Sequence, residues 1–118
     1  RLVHAVESPA IDIVGHPSGR LLNQRSGLDY DVTAVGRAAA EHGTALEVNS
    51  DPRRLDLWGS AVQAALEEGA KIAIDTDSHQ PATLEYMRWG VHTARRGWAE
   101  PADVINTWDL AELREFLH

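Results

Sequence analysis

The chain has 118 residues, 43% of them hydrophobic and 25% charged, the composition of one ordinary folded domain and too apolar for a disordered tail. It has no cysteine, which excludes disulfide scaffolds and thiolate zinc sites. A net charge of −7 argues against a broad basic footprint for duplex DNA, and no apolar run approaches the roughly 20 residues needed to span a bilayer.

The opening residues Arg1 to Glu7 lack the apolar core and small-residue cleavage site of a secretory leader, so a cytoplasmic location is expected. They read as the last turns of a helix, which suggests a piece of a longer protein. A first strand is predicted over Ile11-Asp12-Ile13-Val14, followed by the turn-rich stretch Gly15-His16-Pro17-Ser18-Gly19-Arg20 within a loop reaching about Tyr30. Loops of that length in compact domains are usually functional or disordered. His16 sits at the strand's end, either as an ordinary structural histidine or as a ligand.

Val32, Val35 and Ala38-Ala39 recur with helical spacing and predict a helix over Asp31 to His42, stopped by Gly43. A second strand follows at Ala45 to Asn49. Alternation puts Glu47 and Asn49 on one face and Leu46 and Val48 on the other. A carboxylate inside a strand needs a partner, and Glu47 is expected to meet an arginine or a loop amide, or to support a ligand or substrate.

Another helix is predicted from about Leu57 to Glu68 with Ala61, Ala64-Ala65 and Glu68 on one pattern, and a third strand at Lys71 to Asp75. Continued extension would bring Asp75, Asp77 and His79 to the same side, roughly 6.5–7 Å apart in succession. Carboxylate and imidazole together suit manganese, iron or zinc. A long helix from Pro81 to Arg96 is predicted to bury Leu84, Met87, Val91 and Ala94, while Arg88, His92 and Arg95 share a solvated face. A turn over Pro101 to Asn106 and a final helix capped by Asp109, with Leu110, Leu113 and Leu117 buried, complete the pattern.

Strands alternating with helices of a dozen residues imply an α/β fold with parallel pairing, and place a ligand site in the loops beyond the strands' carboxyl ends. Ten of the eleven basic residues are arginines, several in pairs or in Gly/Pro-rich segments as Arg20, Arg25, Arg53-Arg54 and Arg95-Arg96, and a planar fork suits phosphate oxygens. Compositional bias towards arginine is the plainer alternative. No phosphate-binding glycine loop and no serine nucleophile triad is present.

The segments Asp12-Ile13-Val14-Gly15-His16-Pro17-Ser18-Gly19-Arg20, Leu46-Glu47-Val48-Asn49 with Pro52-Arg53-Arg54-Leu55-Asp56, Thr76-Asp77-Ser78-His79, and Gly90-Val91 with Thr93-Ala94-Arg95-Arg96-Gly97-Trp98 closely resemble the carboxyl-terminal part of a PHP (polymerase and histidinol phosphatase) domain. The likeness is greatest to the PHP domain attached to bacterial family X DNA polymerases and covers nearly the whole chain in order. It implies that residues 1–118 are the last three βα units of a TIM-like (β/α)7 barrel. The mouth of that barrel would hold up to three divalent metal ions, manganese, zinc or iron, for phosphoester hydrolysis. The resemblance carries metal ligation onto His16, Asp77 and His79, with Asp75 left out; the family's ligand glutamate lies upstream, so Glu47, with Asn49, is expected only to support the ligands from behind. Arg20, Arg53 and Arg54 are the expected substrate contacts.

The implied activity is a 3′-5′ exonuclease or related trimming of DNA ends, with the remainder of the barrel and an upstream polymerase domain as partners and no membrane association. A small-molecule phosphatase of the histidinol-phosphatase type is the alternative, and a truncated non-catalytic module a further one. The family's amino-terminal H-x-H motif and other upstream ligands have no counterpart here, and three strands cannot close a barrel.

Overall fold

The computed structural model describes all residues from Arg1 to His118. Its centre is a three-stranded parallel sheet in the order β1 (Ile13–Val14), β2 (Ala45–Asn49) and β3 (Lys71–Asp75). Ile13 aligns with Ala45, and Ala45 in turn with Lys71, so all three strands begin at one level; β2 and β3 end together at Asn49 and Asp75, three residues beyond the level of Val14. The β-branched runs predicted β2 and β3 to the residue. Strand β1 is shorter than expected, two residues rather than four, because it is an edge strand whose ladder bonds come from one neighbour only.

Helices α1 (Leu2–Val6), α2 (Val32–His42), α3 (Gly59–Glu67) and α4 (Met87–Arg96) form the crossover layer. Val6, Val35, Ala39, Val62, Ala65 and Ala94 from these helices pack with Leu46, Val48, Ile72 and Ile74 of the sheet into the principal core. Asp31 accepts a hydrogen bond from Ala34 N–H at 3.1 Å and Gly43 closes α2 in the left-handed conformation at φ 68°. Helices α2 and α3 touch through small residues. A Cβ on Gly36 would stand 2.9 Å from Ala65 Cα, so the spacing depends on the absence of a side chain there.

The long helix expected over Pro81 to Arg96 is divided. Residues Pro81–Tyr86 form a 3₁₀ helix and only Met87–Arg96 is α-helical. The first bond runs from Thr83 N–H to Gln80 O at 3.1 Å, and the hydroxyls of Ser78 and Thr83 converge on the same carbonyl. Local side-chain bonds of this kind draw the backbone away from the α-helical pattern. The expected apolar stripe is accordingly interrupted: Leu84 is 60% exposed and Met87 lies at the surface, whereas Ala94 is buried and Val91 packs on the core.

Helix α5 (Leu110–Phe116) begins where predicted, with Asp109 accepting from Glu112 N–H at 2.9 Å. Its buried side is Leu113 and Phe116, packed with Trp108 against Ala45, Ala73 and Ile105. Leu110, expected in that stripe, is 60% exposed, since Trp108 and Phe116, edge-to-face at 5.3 Å, supply the apolar contact instead. Helix α5 thereby lies across the beginnings of the strands, and His118 reaches Asp12 just before β1.

The outer edge of β3 is covered. Asn106 offers its side-chain amide as a substitute strand, accepting from Ile74 N–H and donating to Ile74 O, both at 2.8 Å, and Val104 bridges Ile72. The outer edge of β1 has no such cover, and Ile13 is 41% exposed. No helix is long and apolar enough to cross a membrane.

Candidate active site at the sheet mouth

The three loops leaving the carboxyl ends of the strands are bound to one another by buried polar contacts. The loop after β2 folds back on its own strand, with Asn49 N–H bonded to Asp56 O and Leu57 N–H to Glu47 O. This return delivers the Asp56 carboxylate, fully buried, beneath the loop after β1. There it accepts from the backbone N–H groups of Ser18 and Gly19 and from Ser18 Oγ at 2.8–3.2 Å. Arg20 closes the same seam from above, donating to the carbonyls of Arg54 and Leu55 while its guanidinium stacks 5.0 Å from the centre of Trp58. Arg20, expected as a substrate contact, thus clamps two loops together.

Glu47, on the inner face of the sheet as alternation required, accepts a hydrogen bond from the backbone N–H of His16. Its position is the loop-amide alternative of the sequence analysis. Burial pushes its carboxyl up to about 8, reinforced by hydrogen bonding with neighbouring Asp75 and opposed by the His16 N–H.

Asn49, completely buried beside it, bridges the second and third loops: Nδ2 donates to Asp77 Oδ2 at 3.1 Å and Oδ1 accepts from Asp51 N–H at 3.1 Å. Asp51 in turn grips Arg53 through Nε and Nη2, the shortest contact being 2.6 Å, and the arginine holds this carboxyl below its usual range. Arg54 Nε lies 3.5 Å from Asp77 Oδ2.

Beyond β3 the extended geometry expected for Asp75, Asp77 and His79 does not continue. Asp77 adopts φ 50°, and its N–H turns back onto Asp75 Oδ1 at 3.1 Å, so the strand ends at Asp75. Asp77 and His79 nonetheless meet, lining a polar cavity of about 410 Å³ with Asp51, Arg53, Thr83 and Tyr86. His79 Nδ1 lies 2.8 Å from the carbonyl oxygen of Asp77. A carbonyl only accepts, so Nδ1 carries the proton in this contact, and in the neutral imidazole that leaves Nε2 as the nitrogen able to ligate. Asp77 Oδ2 is held by Asn49 and Arg54, and Oδ1 has no partner in the chain.

His16 stands apart. It is exposed and lines a different cavity of about 450 Å³ with Pro17, Ser18 and Arg25, and no group of three His, Asp or Glu side chains is disposed to hold a metal ion. His16 lies in the loop after the edge strand β1, outside the cavity that Asp77 and His79 line. An unpartnered carboxylate oxygen of Asp77 and the imidazole of His79, lining one cavity, are donors of the kind that suit a divalent cation.

His16, Leu55 and Asp77 are all non-glycine residues with positive φ, at 28°, 45° and 50°, and all three belong to these mouth loops. Strain of this kind collects where surrounding structure holds functional loops in place. Sequence reasoning missed Asp51, Asp56 and Tyr86. Asp56 carries no local signal, since its partners lie 37 and 38 residues away, whereas Asp51 stands two residues before the arginine it holds, a spacing open to inspection.

No family model matches the chain. Among curated proteins, the DNA polymerase/3′-5′ exonuclease PolX of Bacillus subtilis (strain 168) is 38% identical over 117 residues, 99% of this chain and 20% of that protein. A probable phosphatase of Shewanella sp. (strain ANA-3) is 33% identical over 89 residues, covering 70% of this chain and 33% of the relative. A probable phosphatase of Thermoanaerobacter sp. (strain X514) is 25% identical over 122 residues, covering 98% and 47%. The chain thus spans between a fifth and about half the length of these relatives.

Proposed function

We propose that this chain forms the carboxyl-terminal part of a PHP-type, metal-dependent phosphoesterase barrel, and that its finer activity is 3′-5′ exonuclease or related processing of DNA ends. The observation that carries the proposal is the shared polar cavity of Asp77, His79 and Arg53 at the carboxyl ends of the strands. Likeness over 99% of the chain to a protein named as a polymerase and 3′-5′ exonuclease favours the DNA substrate and a neighbouring polymerase domain.

Asp77 Oδ1 and His79 Nε2 would hold a divalent cation, with His16 joining through groups supplied beyond the open edge of β1. Such a cation polarises a phosphoryl oxygen and lowers the pKa of bound water towards neutrality. The chain's own residues do the positioning. Asn49 and Arg54 fix one oxygen of Asp77 and leave the other open, and the Asp77 carbonyl selects the imidazole tautomer. Arg53, braced by Asp51 through Nε and Nη2, keeps Nη1 free to meet a phosphate, and Glu47 sets the loop that bears His16.

Relatives named as probable phosphatases favour a second reading, hydrolysis of a small phosphomonoester in the same cavity. The two separate by substrate. With manganese present, the protein at its full natural length is expected to release nucleotides from a 3′-labelled single strand with kcat/KM on the order of a hundredfold above that for glycerol phosphate. The reverse preference would establish the small-molecule reading, and hydrolysis of neither would leave a non-catalytic module.

A further inference from the structure

We infer that Tyr86 is a specificity-determining residue of the mouth cavity, a stacking platform that works with the free Nη1 of Arg53 to admit a nucleotide unit in preference to a bare phosphomonoester. The inference rests on the phosphoesterase reading for its chemistry and on the cavity for its geometry. Tyr86 and Arg53 line the same space as Asp77 and His79, so a phosphate held between them lies beside the proposed metal ligands. At about 410 Å³ the cavity falls within the range of small-molecule sites and exceeds what a phosphate group alone occupies.

Arg53 is held in place before any ligand arrives, and Tyr86 stands on a short helix anchored at its start. Asp51, itself buried, takes Nε and Nη2 of Arg53, which orients the guanidinium plane and leaves Nη1 without a partner in the chain. Tyr86 ends the 3₁₀ helix over Pro81–Tyr86, whose start is stitched by the Ser78 and Thr83 hydroxyls 2.6 Å apart and by their bonds to Gln80 O. Its ring is half-buried and its hydroxyl makes no hydrogen bond within the chain. An aromatic ring lining the same cavity as a braced arginine is a combination that can hold a base and its phosphate together, and stacking of this kind favours every base, as a strand-trimming site requires.

The test is calorimetric titration of the full-length protein with thymidine 5′-monophosphate and with glycerol phosphate, for the wild type, Tyr86→Ala, Tyr86→Leu, Tyr86→Phe and Arg53→Ala, with Tm recorded for each. The wild type is expected to bind the nucleotide roughly tenfold more tightly than glycerol phosphate. Tyr86→Ala and Tyr86→Leu should abolish that preference without changing glycerol phosphate affinity, Tyr86→Phe should keep it, and Arg53→Ala should weaken both ligands. The leucine variant, which keeps apolar bulk without the ring, decides the matter should the alanine variant unfold. A preference that survives in Tyr86→Leu overturns the inference. Its failure is separable from that of the phosphoesterase reading: hydrolysis that persists with no nucleotide preference sinks only the inference, and Tyr86-dependent nucleotide binding without hydrolysis sinks only the reading.

Discussion

Glu47 carries a proton that the unfolded chain does not hold at neutral pH. Its carboxyl, raised from 4.5 to about 8 by burial and by Asp75, stays protonated in the folded state through a range where the unfolded chain has already released it. Folded protein therefore binds more protons over that interval. The contribution of Glu47 to stability is full below pH 4.5 and falls as pH rises towards 8. Glu47→Gln keeps the acceptor for His16 N–H and removes the titration. Its Tm should fall less steeply than that of the wild type between pH 5 and 8, and parallel Tm curves would contradict the assignment. The polarity of this position was legible from strand alternation, but its partner was not, because the His16 amide lies 31 residues earlier and reaches Glu47 only after β1 and β2 pair.

Among the elements, β2 and β3 were readable because dense apolar, β-branched runs bounded by polar residues admit few other structures. The helix over Pro81 to Arg96 was not, since periodicity registers Leu84 and Met87 as apolar without showing that the Ser78 and Thr83 hydroxyls compete for the first turn. The covering of β3 was likewise invisible, because nothing marks Asn106 as a stand-in for a strand until Ile74 lies beside it. Removing that amide in Asn106→Ala leaves an N–H and a carbonyl of the edge unpaired. The expected cost is about 1–2 kcal/mol of unfolding free energy. Urea denaturation measures it, and a value indistinguishable from the wild type would show that water replaces both bonds.

Taken as a whole, the molecule is acidic, yet arginines 20, 53 and 54 gather at its mouth. Asp77 and His79 line one cavity, and a left-handed turn at Asp77, rather than the strand extension read from the sequence, brings them there. His16 lies outside that cavity, after β1, whose outer edge has no neighbour in the sheet. The central claim is that Asp77 and His79 grip the cation on which phosphoester cleavage depends. The most direct measurement is the initial rate of 3′-end release by the full-length Asp77→Ala variant under saturating manganese, beside its Tm. A fall on the order of a hundredfold or more with the Tm held within a few degrees is the predicted result; a rate within twofold of the wild type would contradict it.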